Sequence, residues 1–469
     1  MIFDSCRNDA PAVLSVEFEV RPRGGCQSRL TNHGLPAGKL LMSAKLSLLA
    51  LLTVATAGLR AATPLNAAVL LPEGARLAVV GDSITEQKQY TRFIEAYLIA
   101  CAGRPDVKVF QFGWGGETAG GFAQRAMNDL AVFKPTTVTL CYGMNDGGYR
   151  PFDENVGKGY TESMRAVMTV LKDIGVPHVV VGSPGAVDTF FFKRDNFAPK
   201  SGADGYNDNL RQLGEIGKTL AGEFQQTFAD VHQPMIDAMR MAKPALGENY
   251  DVCGGDGFHP NANGHLVMAM AFLKALGCDG NIGEIAIDMN GPAKASDGHK
   301  ILTSGPGTAE FESTRYPFCF QGDEKSSSGT RSIVPFVPFN QDLNRLTLKV
   351  ANLSSAKASV TWGSATKDFT KEQLGAGINL AAEFPVTPFD ANFAAYLGQL
   401  GGKQQFETLL IKELVTRFRA FDGEAKADPE VAAAFATLRK KLPARQAALD
   451  TQARQALAPV KHGLKVTPL

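Results

Sequence analysis

The chain has 469 residues, 44% of them hydrophobic, and its 48 lysines and arginines nearly balance 47 aspartates and glutamates, leaving a net charge of +1. That balance argues against nucleic acid or an anionic membrane surface as a partner, and the length allows more than one hydrophobic core. Residues 1–41 show no periodicity and precede Met42-Ser43-Ala44-Lys45 and an apolar run from Leu46 to Ala57, the form of a secretory signal with a small-residue cleavage site at Ala55-Thr56-Ala57. The expectation is a non-native or disordered leader over 1–41 from an upstream start codon, a signal peptide over 42–57, and a secreted or periplasmic protein. The apolar run is shorter than the ~20 residues of a bilayer span, so no stable membrane anchor is expected.

Strand and helix patterns then alternate. Short apolar runs at Leu77 to Val80, Val107 to Phe112, Thr137 to Tyr142, His178 to Val181 and Gln226 to Asp230 read as strands. Helical spacing is found at Tyr90 to Cys101, Phe122 to Phe133, Tyr160 to Ile174, Tyr206 to Phe224 and Ala262 to Leu276. Such alternation with short connections predicts an α/β domain over 72–279, a parallel sheet covered by helices on both faces. Past Gly280 the pattern changes to short alternating runs at Glu284 to Met289, Ala309 to Thr314, Ser332 to Pro338, Leu346 to Val350 and Ser359 to Trp362, which predict a small β-sandwich over 280–387. An apolar stripe at Phe406, Leu409, Leu410, Leu414 and Phe418 and an alanine-rich, charged stretch from Pro429 to Leu457 predict a helical region over 388–469.

Four short segments fall where strands of the first domain end or a helix begins: Gly81-Asp82-Ser83, Gly113-Trp114-Gly115-Gly116, Gly143-Met144-Asn145-Asp146 and Asp256-Gly257-Phe258-His259-Pro260. Open α/β sheets place ligands at those strand ends. Together the segments supply what acyl transfer from an ester requires, namely a hydroxyl nucleophile, a base, and donors aimed at the developing oxyanion. Ser83 is the candidate nucleophile and His259 the base. Asp256, three residues before His259, is spaced to accept from Nδ1 and leave Nε2 free for the serine proton. The backbone N–H groups of Ser83 and Gly116 and the side-chain amide of Asn145 are the candidate oxyanion donors.

These residues resemble the SGNH (GDSL-type) hydrolase family, whose four signature blocks supply Ser, Gly, Asn and His, and the likeness runs from Arg76 to Gly277. Gln111 stands where members often carry Asn, and Gly115 where many carry Ser, so the second block is a looser match; the resemblance places its oxyanion glycine at Gly116, with Gly115 the neighbouring alternative. The resemblance implies a three-layer α/β/α fold and ester hydrolysis through a covalent acyl-enzyme, with members acting on lipids, thioesters or acetylated sugars. The extracytoplasmic signal and the appended β-domain favour an acylated carbohydrate as the substrate. A lipid acylhydrolase or thioesterase is the alternative, and a non-catalytic glycan-binding protein on a degenerate hydrolase scaffold is the rival of a different class.

No cofactor or metal is expected. Gly113-Trp114-Gly115 begins like a dinucleotide fingerprint, but Thr118 occupies the third glycine's position, and Gly217-Lys218-Thr219 lacks the first glycine of a phosphate loop because Gln212 stands there. Ser83 has no flanking Gly-x-Ser-x-Gly elbow, and no Cys-x-x-Cys or His-Glu-x-x-His occurs. Seven cysteines do not make a disulfide framework, although Cys253 and Cys278 bracket His259 and are the one pairing to examine. The long connection from Asp188 to Tyr206 carries Phe190-Phe191-Phe192, either a wall beside Ser83 or an anchor for the loop. Trp362 and Tyr316 in the β-domain are sugar-stacking platforms if exposed and core residues if buried.

Overall fold

A computed structural model of the chain describes residues 70–193 and 202–469. The expected leader and signal peptide, and residues 194–201 of the long connection, lie outside the described residues. Five strands, β1 (Arg76–Gly81), β2 (Lys108–Gly113), β3 (Thr137–Cys141), β4 (His178–Gly182) and β5 (Thr227–Ala229), form a parallel sheet in the order β2-β1-β3-β4-β5. With them run α1 (Ser83–Glu86), α2 (Tyr90–Ala96), α3 (Ala119–Phe133), α4 (Glu154–Asp173), α5 (Gly202–Glu223), α6 (His232–Leu246) and α7 (Ala262–Ala275). The strands are apolar on both sides because both sides are covered. Leu77, Val79 and Val109 share a core with α2 and α7, while Ala78, Val80, Phe110, Phe112, Val138 and Leu140 share the other with α3 and α4. This is the three-layer α/β/α architecture.

Local chemistry starts the helices where the sequence changes period. Oxygens of the Asp82, Thr118 and Asp153 side chains accept from the backbone N–H groups of Ile84, Gly121 and Val156 at 2.9, 3.3 and 2.9 Å, capping α1, α3 and α4. Helix α6 begins at His232 in spite of two prolines: Pro234 sits in its first turn, where a missing N–H costs nothing, and Pro244 falls inside it near its end. Pro234 therefore sits at a tolerated helix position, whereas Pro244 lies within the helix and leaves one carbonyl without its usual N–H partner.

Beyond α7 the chain builds two more sheets. One is β13 (Ile378–Asn379), β10 (Arg345–Ala351), β6 (Asn281–Asp288) and β7 (Lys294–Ala295), in that order. The other is β12 (Ala365–Thr370), β11 (Lys357–Trp362), β14 (Val460–Pro468), β9 (Thr308–Ser313) and β8 (His299–Gly305). The run Ser332 to Pro338 is not a strand but a 3₁₀ segment at Arg331–Phe336, as Pro335 and Pro338 have no N–H to give a ladder. Long helices α8 (Asp390–Leu409) and α9 (Pro429–Arg454) follow, and the chain then ends in a strand rather than a helix. In β14, Val460, His462, Leu464 and Val466 are buried in strict alternation, slotting it between β11 and β9. Trp362 and Tyr316 are fully buried, so neither offers a face to a sugar.

Candidate active site

The register of the parallel sheet brings three of the signature segments level. Gly81 at the end of β1 pairs with Gly113 at the end of β2 and with Cys141 at the end of β3, so the loops bearing Ser83, Gly116 and Asn145 emerge side by side. The strand order reverses at β1, which opens the crevice that such sheets use for ligands. Gly81 has no room for a side chain, since a Cβ would fall 2.2 Å from Thr85 Oγ1 and 2.7 Å from the Cys141 carbonyl oxygen.

His259 arrives from the far end of the domain, on the turn before α7. Its Nε2 lies 2.7 Å from Ser83 Oγ across 176 residues of sequence. Its Nδ1 lies 2.7 Å from Asp256 Oδ2, and Asp256 Oδ1 accepts from the backbone N–H groups of Phe258 and His259 at 3.1 and 2.9 Å. Burial pushes the Asp256 carboxyl upward, but the hydrogen bonds from the His259 ring and those two N–H groups outweigh it and hold it below the usual carboxylate range. An ionised Asp256 fixes the proton of His259 on Nδ1 and turns the lone pair of Nε2 toward Ser83. Ser83, His259 and Asp256 are thus brought together in one hydrogen-bonded row.

The turn that carries His259 is braced by the start of the long connection. Asp188 N–H donates to the Gly257 carbonyl at 2.7 Å, Phe192 N–H donates back to Asp188 O at 2.9 Å, and Lys243 pairs with the Asp188 side chain at 3.0 Å. Gly257 has φ +86, and a Cβ there would meet Phe192 N at 2.4 Å, so only glycine permits this contact. Phe192 is buried, stacked on Tyr206 with centroids 5.5 Å apart, whereas Phe190 is exposed. The phenylalanines divide: Phe192 holds the loop and Phe190 faces outward. A cavity of about 510 Å³ beside this loop, lined by Asn207, Arg211, His232, Met239 and Lys243 among others, includes neither Ser83 nor His259.

The candidate oxyanion donors are held by two residues that the sequence reading passed over, Glu86 and Tyr149. Gly115 N–H donates to Glu86 Oε2 and is therefore occupied, while Gly116, with φ +74, has an N–H without an acceptor among the described residues. That difference favours Gly116 over Gly115 as the donor. Asn145 Nδ2 gives one hydrogen to the Glu117 carbonyl at 3.0 Å and has a second to give, and its Oδ1 accepts from the Tyr149 hydroxyl at 3.0 Å. Tyr149 thereby fixes which end of the amide is the donor. Beneath them, Asp146 accepts from Ala119 and Gly143 N–H, both at 3.0 Å, tying the third segment to the helix after the second. Burial raises the Asp146 carboxyl to about 6 and that of Asp82 to about 7.

The other histidines and the cysteines take no part in this row. His265 accepts from Tyr90 N–H at 3.3 Å and contacts Gln87 Oε1 at 2.6 Å, and burial, with Arg92 and His259 nearby, depresses it to about 3. It is a neutral core histidine. Cys253 and Cys278 are both free thiols, so the pairing examined in the sequence is not made. Among the described residues no cluster of three His, Cys, Asp or Glu side chains forms a cation site, and no helix is long and apolar enough to cross a membrane.

With this geometry in place, relatives can be compared. Residues 79–267 match the GDSL-like Lipase/Acylhydrolase family. This part of the chain is an SGNH (GDSL-type) hydrolase domain, and the class is one of ester hydrolases. An acetylxylan esterase of Geobacillus stearothermophilus is 23% identical over 226 residues, 44% of this chain and 94% of that protein. A solved structure of a gut microbial diltiazem-metabolizing enzyme, 21% identical, covers 86% of this chain and 100% of its own, with a TM-score of 0.65. The likeness of fold therefore extends well past the hydrolase domain, into the β-sheets and helices that follow.

Proposed function

We propose that the protein is a secreted serine esterase that removes acetyl or other short acyl groups from a carbohydrate through an acyl-enzyme. The observation that carries the reading is the Ser83 Oγ to His259 Nε2 contact of 2.7 Å with Asp256 on the opposite ring nitrogen at 2.7 Å. In the first half, Ser83 Oγ attacks the ester carbonyl carbon and its proton passes to Nε2 of His259. Negative charge gathers on the former carbonyl oxygen, where the N–H groups of Ser83 and Gly116 and the Asn145 amide would meet it. Collapse breaks the bond to the leaving alkoxide, which takes the proton from His259. In the second half a water molecule, deprotonated by Nε2, attacks the acyl-serine; the acid leaves and Ser83 Oγ recovers its proton. Asp256 stays ionised throughout and stabilises the imidazolium.

Support for the sugar substrate is the likeness to the acetylxylan esterase, together with the signal-like apolar run from Leu46 to Ala57. The test is release of acetate from acetylated xylan or pectin compared with hydrolysis of long-chain esters, with the Ser83→Ala protein as the blank. Acetate release that the Ser83→Ala protein lacks is the expected result; activity on long-chain esters alone rejects the carbohydrate reading.

A further inference from the structure

The C-terminal helices lie along the edge of the catalytic sheet and make up for the partner that β2 lacks. Lys403 Nζ donates to the Val109 carbonyl at 2.6 Å and Glu407 Oε2 accepts from Gln111 N–H at 3.0 Å, so two side chains of α8 take the place of a neighbouring strand. Both are fully buried and neutralise each other at 3.0 Å, with Glu95 a further 2.6 Å partner of Lys403 and Gln446 of α9 donating to Glu407 at 2.7 Å. At the next residue, Thr408 donates to Gln111 Oε1 at 2.9 Å, and Gln111 Nε2 donates to the Thr85 carbonyl at 2.9 Å, inside the helix that Ser83 opens.

The same chain of contacts reaches the oxyanion loop. Just past α8, Lys412 Nζ pairs with Glu86 Oε1 at 2.5 Å, the carboxylate whose other oxygen accepts from Gly115 N–H. Lys412 also stands 4.9 Å from the centroid of Trp114, the residue before Gly115, with Arg125 and Arg417 at 4.8 and 5.6 Å from that ring. With its charge balanced by Lys412, Glu86 can hold the N–H of Gly115 at the exposed tip of the loop, which leaves the next N–H, that of Gly116, without an acceptor among the described residues.

We propose that Glu86 and Lys412 are a positioning pair for the oxyanion loop, which makes the C-terminal helical segment a working part of the esterase site rather than an appendage. The inference rests on the esterase reading above. The experiment measures kcat and KM for acetyl ester hydrolysis in the full chain for Glu86→Ala, Glu86→Gln, Lys412→Met and the Glu86→Gln/Lys412→Met double variant. Loss of an oxyanion donor costs about 100- to 1,000-fold, and loss of its support less, so Glu86→Ala is expected to lower kcat about 10- to 100-fold with KM within about twofold. Glu86→Gln keeps an oxygen for Gly115 N–H and is expected to lose about three- to tenfold, as is Lys412→Met. The double variant is expected to be no worse than the weaker single, because both break one clamp. The proposal is overturned by single losses that multiply in the double variant, by a change in KM alone, or by a Glu86→Gln protein with wild-type kcat. A wild-type protein without esterase activity would instead overturn the reading beneath it.

Discussion

Among the described residues two serines, Ser83 and Ser313, place their hydroxyls against histidine ring nitrogens, and the two arrangements are wired in opposite directions. Ser83 Oγ lies 2.7 Å from His259 Nε2, and Ser313 Oγ lies 2.8 Å from His462 Nε2 in the antiparallel sheet, where β9 and β14 pair. The difference is on the far side of each ring. Behind His259 stands the carboxylate of Asp256, which places the proton on Nδ1 and leaves Nε2 as an acceptor facing the serine. Behind His462 stands Trp362 Nε1, a donor at 3.1 Å, which forces the reverse tautomer, so that Nε2 of His462 donates to Ser313. Ser313 passes its own hydrogen to His299 Nδ1 at 2.9 Å, and His299 Nε2 gives its proton to the Ile282 carbonyl at 3.2 Å. The first pair ends in an acceptor nitrogen facing the serine, as the proposed base requires; the second is a one-way chain of hydrogen bonds that joins two sheets. Access separates them too, since the His259 side chain is 27% exposed and Ser313 is fully buried.

The largest effects that would sharpen this contrast are on turnover. Ser83→Ala and His259→Ala are each expected to lower kcat by at least about 1,000-fold, and Asp256→Asn by about 10- to 100-fold, less because its side chain is 47% exposed and water screens its charge. A fluorophosphonate should label Ser83 and leave Ser313 untouched, read by peptide mapping. A folded wild-type protein that takes no label would favour a glycan-binding scaffold without catalysis. Ser313→Ala should leave kcat within about twofold of wild type; a large loss there would break the division between the two pairs.

Acid should act on the second pair through stability. Burial, with His299 close by, lowers His462 to about 4 from an ordinary 6.5. The unfolded chain therefore binds more protons between those values. The stabilisation is complete above pH 6.5 and is lost as pH falls toward 4, amounting to about 3 kcal/mol. His462→Gln offers an oxygen to Trp362 and an N–H to Ser313 without titrating. The buried Asp82 and Asp146, with carboxyls raised to about 7 and 6, gain stability as pH falls and so push the opposite way. The readout is accordingly the difference between wild type and variant in urea unfolding from pH 7.5 to 4. A difference that stays flat across that range would mean that His462 is not held neutral by its surroundings.

The contrast also marks what the amino-acid sequence made legible. Strand ends announce themselves by an apolar run followed by glycine, so the loops that bear Ser83 and Asn145 and the parallel character of the sheet could be read directly, though not the strand order, and the short Asp256 to His259 spacing anticipated the contact between the two side chains. Contacts between distant segments could not be read. Glu86 and Lys412 are 326 positions apart, and nothing local tells Gly115, whose N–H is taken, from Gly116, whose N–H is not. Strand β14 was hidden because its outward positions are Lys461, Gly463 and Lys465, which mask the alternation of Val460, His462, Leu464 and Val466. Helix α6 was hidden by two prolines, Pro234 in its first turn, where a helix tolerates one, and Pro244 inside it, where it does not.

The smallest effect concerns how the amide donor is oriented. Asn145 can present either end of its side chain to a substrate, and the structure selects the NH₂ end by giving Oδ1 the Tyr149 hydroxyl at 3.0 Å and Nδ2 the Glu117 carbonyl at 3.0 Å. Tyr149 is itself held with φ +54, unusual for a side chain of its size, and its ring lies 5.2 Å from Tyr206 and 5.4 Å from Phe258. Tyr149→Phe keeps the ring and removes only the hydroxyl. The Glu117 carbonyl still favours the NH₂ end, so the expected loss is about three- to tenfold in kcat with KM within about twofold, against about 100-fold for Asn145→Ala, which removes the donor itself. A Tyr149→Phe protein as slow as Asn145→Ala would show that the hydroxyl meets the substrate directly. Unchanged kcat would show that Glu117 alone orients the amide.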